Sequence, residues 1–371
     1  MADDRNIDPT KGLLPLNALE IDECNRSFIT RNETLFCHKP GDEKVFKAWN
    51  MKESPFKMLL SEKSKKVTFL SNGSDHLSNY DVETGKLLEQ LHITNNGKEV
   101  LIKDFSNDKR YLNLNANSIE TSYRVTSGNI LAEFNHDPRT KVKTFDLDKI
   151  TSSSVNSKGF GYTSILPSVD GNMIASASDG IVRFYSEVGK KSKNNIDLAG
   201  EKIYGIDSTK NKEWVIWTTK NYICIIRSSF KDEDGKTFDA FQKTITKIMR
   251  EKHMPIMILK LLDEDLKKMN LIEDKVHFTP AKFDNIPYTN SNLDHKYITT
   301  STNNFQISWL MKDIIKAYEN FHNSEVNYAN IKPLISEYKF NIIDQKFNFE
   351  SSPNLVIESN QDSLTFNRFL N

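Results

Sequence analysis

Few residues in this chain stand at spacings that could carry chemistry. Cys37 and His38 are adjacent and Cys24 lies upstream, but a tetrahedral metal site needs a Cys-x-x-Cys pair or a second nearby histidine to complete its ligand set. Neither is present, so all three read as ordinary core or surface residues. Gly159-Phe160-Gly161 is a fragment of a glycine-rich loop that lacks the third glycine and the strand-to-helix setting of a pyrophosphate site; a turn between repeating units fits better. Asp232-Glu233-Asp234-Gly235 begins like a calcium loop but lacks the twelve-residue pattern closed by a glutamate, which leaves a solvated acidic turn. Asp263, Glu264 and Asp265 are consecutive, and consecutive helix positions point in different directions, so they cannot form an acid/base pair. A helix start with Asp263 as N-cap accounts for them. No Gly-x-Ser-x-Gly elbow or other nucleophile pattern occurs among the many serines and eight histidines. The expectation is no catalytic residue, no cofactor and no metal.

The remaining polar and aromatic clusters point the same way. Lys63, Lys65 and Lys66, like Lys190, Lys191 and Lys193, lack the interleaved aromatics of a strand-stacking surface, so they read as solvated loops. Trp214, Trp217 and Trp309 lie in strand-like runs, where bulky side chains pack between sheets. Lys plus Arg and Asp plus Glu both total 50 in 371 residues, giving zero net charge. With no global field toward nucleic acid or anionic lipid, the expected partners are other proteins. Three cysteines are too few for a disulfide framework, which suits a reducing, cytoplasmic setting. Met1 to Thr10 carries no secretory or transit pattern. No run approaches the roughly 18 apolar residues of a spanning helix; Ile256 to Leu262 is the most apolar stretch and contains Lys260.

The elements that must position these residues read as strands. Runs of four to seven β-branched and aromatic residues recur along the chain, separated by Gly, Asn, Asp or Ser clusters. The clearest spans Asp170 to Tyr185, where two strands flank Ser178-Asp179-Gly180, a favoured hairpin sequence. Comparable pairs occur at Ser27 to Arg31 with Thr34 to His38, Lys66 to Leu70 with His76 to Val82, Tyr111 to Leu114 with Ser118 to Arg124, Trp214 to Thr218 with Tyr222 to Ile226, Tyr297 to Ser301 with Phe305 to Trp309, and Leu355 to Glu358 with Ser363 to Phe366. Their spacing, about 40 to 50 residues, is a propeller blade period. The Asp-x-x-Thr-Gly-Lys turn from Asp81 to Lys86 resembles the loop joining the outer strands of a WD-repeat blade. The fold class expected is an all-β, WD-repeat-like β-propeller of six or seven blades, seven being preferred, over residues 21–371, with residues 1–20 as a flexible tail. Closure should bring Phe366 or its neighbours close to the N-terminal strands, because a closed ring leaves no long sheet edge exposed.

Two stretches break the β rhythm. Thr237 to Arg250 sets Phe238, Phe241, Ile245, Ile248 and Met249 at helical spacing and is stopped by Pro255. After a strand at Ile256 to Leu261, Asp263 to Met269 adds another helical turn or two. Met311 to Phe321 places Ile314, Ala317, Tyr318 and Phe321 on one side. These helical insertions, near 237–269 and 311–321, are expected on the propeller rim, and Phe238, Phe241, Ile245, Ile248, Met249, Ile314, Tyr318 and Phe321 are the candidate protein contacts.

Asp170 to Gly189, Ile203 to Asp207, Trp214 to Ile226 and Phe278-Thr279-Pro280-Ala281-Lys282-Phe283 together resemble, in order, the C-terminal propeller of the vacuolar import and degradation protein 27 family. Ser27-Phe28-Ile29-Thr30-Arg31 is similar to the start of that domain. The resemblance implies a WD-repeat-like propeller, a link to delivery of proteins for vacuolar degradation, and no catalytic residues. It also implies that full-length relatives carry a long N-terminal region with a lipid-domain-like module, whereas the propeller here is expected to begin almost at once. The function expected is a non-catalytic interaction scaffold or adaptor. The alternative is a structural subunit of a large assembly, such as ciliary or cytoskeletal microtubules, with a cytoskeleton-associated location.

Overall fold

The computed structural model describes residues 18–368 apart from 23, 32, 41, 43, 52, 61–64, 108–121, 138, 155–159, 169, 198–199, 210, 233, 285–295, 321–325, 348–353 and 360–363. Sheet follows sheet in chain order. Blade 1 is Leu19–Ile21, Ser27–Arg31, Thr34–His38 and Val45–Asn50; blade 2 is Pro55–Leu60, Lys66–Ser71, His76–Asp81 and Leu87–Asn95; blade 3 is Asp104–Asn107, Ser122–Ser127, Ile130–Asn135 and Thr151–Ser154. Blade 4 is Tyr162–Pro167, Met173–Ala177, Ile181–Tyr185 and Asn194–Asp197; blade 5 is Gly205–Ser208, Trp214–Thr218, Tyr222–Arg227 and Ile256–Lys260; blade 6 is Lys282–Phe283, Tyr297–Thr302, Phe305–Leu310 and Leu334–Glu337. A three-stranded sheet, Ile342–Phe347, Asn354–Ser359 and Leu364–Arg368, follows. Pairing within these sheets is antiparallel.

First strands pack beside first strands around the axis, and Ile342–Phe347 lies between Tyr297–Thr302 of blade 6 and Leu19–Ile21 of blade 1. The ring therefore closes, and the all-β propeller expected from sequence is the observed fold. Among the described residues six blades have four or more strands, and the sector between blades 6 and 1 is held by the three-stranded sheet. The closing contact is not where it was expected. Phe366 pairs with Val356 inside its own sheet, while Lys346 pairs with Glu20 across the seam. Leu19 is already in a strand; residues 1–17, the rest of the expected tail, lie outside the described residues.

Central strands are buried on both faces because each blade is sandwiched between two others. Met173–Ala177 and Trp214–Thr218 are buried at every position, which explains why they read as continuous apolar or small runs rather than alternating ones. Trp217 and Trp309 are fully buried between sheets, as expected of packing residues. In the Asp81 turn, the carboxylate accepts from the Thr84 N–H and hydroxyl, both at 2.7 Å. Gly85 there adopts φ +67°, and an added Cβ would stand 2.2 Å from Trp49 Cδ1, so the glycine is required twice over.

Several connections to outer strands reach back to the preceding blade. Between the last two strands of blade 3, Thr144–Asp146 pairs in parallel with Leu87–Asn95 of blade 2. Between the last two strands of blade 6, helix Met311–Glu319 and strand Val326–Ala329 return to blade 5, where the strand pairs in parallel with Ile256–Lys260. The blade 5 insertion leans on blade 4: Asn194 Nδ2 donates to Ala240 O at 2.6 Å and Lys243 O at 2.8 Å, and its Oδ1 accepts from Ile245 N at 2.9 Å.

This insertion corrects the helix expected over Thr237 to Arg250. Ser229–Lys231 and Thr237–Asp239 form a hairpin instead, turned by Gly235 at φ +74° and by the Asp232 carboxylate accepting from Lys236 N at 2.8 Å. Phe230 stacks on Phe238 at 5.4 Å, and the Asp239 carboxylate accepts from Phe241 N at 2.8 Å, ending the strand locally. The helix is confined to Lys247–His253, capped by Thr246 accepting from Met249 N. A further helix, Asp263–Lys268, is present, but its N-cap is Leu262 and no side chain caps it. Asp263, Glu264 and Asp265 occupy its first turn, where negative charge favours the free N–H groups. Residues 111–114 and 118–121 of the expected pair lie outside the described residues; the described strand Ser122–Ser127 pairs with Ile130–Asn135 around Gly128 and with Asp104–Asn107. Among the described residues no helix is long and apolar enough to cross a membrane.

Candidate functional site

Where the blade 5 hairpin, helix Lys247–His253 and helix Met311–Glu319 meet, they leave a groove of about 650 Å³ on the outer part of blade 5. Glu213, Arg227, Phe230, Lys252, His253 and Tyr318 contribute to its walls, with Lys231 and Glu319 at its edges. Each wall is fixed by packing. The Tyr318 hydroxyl donates to Pro255 O at 2.8 Å and accepts from Arg227 N at 3.2 Å, while its ring meets Trp214 edge-on at 5.0 Å. Burial pushes the Tyr318 phenol well above its ordinary pKa, so it stays protonated and keeps donating. His253 lies flat on Phe230 at 5.0 Å. Arg227 Nε donates to Glu213 Oε1 at 2.8 Å. The result is a surface with an aromatic floor, walls whose Tyr318, Arg227 and Glu213 side chains are already hydrogen-bonded, and Lys231 exposed at its edge.

The structure distributes the sequence-predicted contact residues unevenly. Phe241, Ile245, Ile314 and Tyr318 are 1%, 4%, 0% and 7% exposed, so they seat the insertions on the blades rather than offering a surface. Phe241 packs edge-on against Phe184 of blade 4 at 5.1 Å. Phe238 and Met249 are partly buried against the same core, and Ile248 alone projects, 76% exposed. Phe321 lies outside the described residues. Among the described members of the set only Tyr318 lines the groove; Arg227, Phe230, Lys252 and His253 were missed, because their proximity depends on a hairpin that helical spacing concealed.

The other sequence candidates lie elsewhere in the fold. Cys24 is exposed while Cys37 and Cys224 are buried, and burial pushes the Cys37 thiol up to about 11. Asp232 and Gly235 form the hairpin turn described above. Gly161 precedes the first strand of blade 4 and has Gly128 O 2.7 Å from where a Cβ would be. Phe278 to Phe283 proves architectural: Phe278 N donates to Lys220 O, Ala281 N to Thr218 Oγ1 at 2.8 Å and Phe283 N to Asp207 Oδ2 at 2.9 Å, and Pro280 packs on Gly205. The motif locks blade 6 to blade 5. Among the described residues one donor set is close enough to share an ion, Asp75, His76 and His92 on blade 2, and sequence reasoning missed it.

Comparison with solved structures returns propeller folds at low identity. A Kuenenia stuttgartiensis hydrazine synthase chain superposes with TM-score 0.65 at 10% identity, covering 95% of each chain. The β-propeller domain of Myceliophteria thermophila Cps50 (Swd1) superposes with TM-score 0.55 at 9% identity, covering 94% of each. Both are similar in fold alone. Vacuolar import and degradation protein 27 of Schizosaccharomyces pombe (strain 972 / ATCC 24843) is 22% identical over 350 residues, 90% of this chain and 40% of that protein; the chain thus spans less than half the length of that relative. Residues 22–369 match the VID27 C-terminal WD40-like domain, the span of the closed ring, and the chain belongs to that family.

Proposed function

We propose that this chain is a non-catalytic interaction scaffold of the cytoplasm, and that the blade 5 groove receives a short acidic segment of a partner protein with one apolar side chain. The observation that carries this reading is the groove itself, with Phe230 and His253 stacked beneath it and Lys231 exposed at its edge. An aromatic floor supplies apolar contact while the rim lysine Lys231 speeds encounter with an anionic segment. Tyr318, Arg227 and Glu213 spend their hydrogen-bonding capacity on holding the walls, which favours recognition over reaction. The relative's name supports vacuolar import and degradation as the process served, and favours an adaptor over a subunit of a microtubule-like polymer.

Reversing the Lys231 charge tests the reading. Lys231→Glu should leave the fold intact, since the side chain is exposed, and should abolish a defined subset of the interactions recovered by quantitative affinity purification, together with delivery of vacuolar cargo. An unchanged interaction set would rule the groove out.

A further inference from the structure

We propose that Asp75, His76 and His92 form a binding site for a zinc-class divalent transition metal, with the fourth coordination position open to water. His76 and His92 are directly opposed across two antiparallel strands of blade 2, a register that puts both side chains on one face at close range; their rings lie 5.1 Å apart. Asp75 sits between them, with Oδ1 2.8 Å from His76 Nδ1 and Oδ2 3.5 Å from His92 Nδ1. One ligand atom from each residue falls within 4.8 Å of the others. Ligands bound tetrahedrally at zinc distances of about 2.0–2.2 Å stand roughly 3.3 Å apart, so small side-chain rotations bring the set onto an ion.

The backbone under these ligands is already fixed. Ser74 Oγ donates to His76 O at 2.9 Å and accepts from His76 N at 3.1 Å, and Ile93 N donates to Asp75 O at 2.9 Å. His92 N donates to Lys143 O at 2.7 Å, and His92 is in register with Thr144 on the strand returning from blade 3. Gln90 Nε2 lies 3.0 Å from His76 Nε2, on the side of the ring that faces away from Asp75, and also donates to Glu53 Oε1 and Ser78 Oγ at 3.3 Å each, which limits the movement of the ring. The side chains of Asp75, His76 and His92 are 21%, 23% and 39% exposed, which gives an ion a path in and a place for water. Two imidazoles with one carboxylate favour Zn²⁺ and its neighbours over Mg²⁺ or Ca²⁺, which prefer all-oxygen shells.

Titration of Zn²⁺ into the chelator-stripped chain, followed by calorimetry and by thermal melting, tests the site. The expected result is one stoichiometric site that raises the melting temperature, no comparable effect of Mg²⁺ or Ca²⁺, and at least about 100-fold weaker binding in His92→Ala, by analogy with losses on disturbing metal-site partners. Asp75→Asn, which preserves shape, should weaken binding likewise and serves if His92→Ala melts abnormally without metal. Absence of a stoichiometric site in the native chain, or undiminished binding in both variants, would overturn the proposal.

Discussion

Replacing Asn194 with alanine should release the blade 5 insertion from blade 4 without opening the ring. The Asn194 side chain is 6% exposed and makes three hydrogen bonds, to Ala240 O, Lys243 O and Ile245 N. Each exchanged hydrogen bond contributes about 1 kcal/mol net, and buried groups left without partners cost more, so the loss should be about 3 kcal/mol. Much of it should appear locally, because residues 240–245 can rise toward water while Asn194–Asp197 stays paired with Ile181–Tyr185. Urea denaturation reads the global part and amide hydrogen exchange the local part. Ile245 should exchange far faster in the variant, while the strand Met173–Ala177 keeps its protection. Asn194→Asp should recover little, since a carboxylate can accept from Ile245 N but cannot donate to the two carbonyls. A change below about 0.5 kcal/mol with unaltered exchange at Ile245 would refute the reasoning, because it would mean that the insertion is held by other contacts.

Gly85→Ala should destabilise the chain by about 1–3 kcal/mol, seen as a lower denaturation midpoint, since φ +67° and the Trp49 side chain both resist a Cβ; an unchanged midpoint would contradict this. Asp179 and Arg183 form a buried pair in the blade 4 hairpin, with Arg183 Nη1 donating to Asp179 Oδ1 at 3.1 Å. Burial alone would raise the Asp179 carboxyl, but hydrogen bonds from Arg183 and the Ile181 N–H, with the guanidinium charge, hold it below the usual range. A carboxyl lowered on folding stabilises the folded state above its unfolded pKa of about 4, and that contribution is lost as pH falls through the depressed value. Asp179→Asn should therefore cost about 3 kcal/mol at neutral pH, and the gap from the native chain should close in acid; a gap independent of pH would count against the pair.

The hairpins of blades 1, 2, 4, 5 and 6 were legible because their turns need particular residues. Gly180 at φ +76° and Asn303 at φ 52° mark chain reversals that few other side chains tolerate, and the strands beside them alternate or bury wholly. Blade 3 was misplaced although Ser127-Gly128-Asn129 carries a comparable turn signal; Arg124, fully buried and bonded to Glu133 at 2.8 Å, masks its strand as polar. Phe238, Phe241 and Ile245 satisfy a helical period, yet a β-hairpin and a clamped loop bury them equally well, so periodicity could not choose between the two. Thr144–Asp146 and Val326–Ala329 are too short to announce themselves, and their parallel partners belong to another blade. The blade 2 ligands are recoverable in principle: counting outward from the Asp81 turn sets His76 against His92 once the irregularity at Asn79/Tyr80 is allowed for. No local motif flags two histidines so far apart.

Photo-cross-linking tests the central claim, that this propeller works by seating a partner's segment in the blade 5 groove. A benzophenone side chain replacing Lys231, at the groove edge, should capture in cells an acidic segment that maps to a single site on its partner. The same group at Lys190, whose side chain is 63% exposed on blade 4, should not. Capture of the same proteins from both positions, or of none from position 231, would contradict the account.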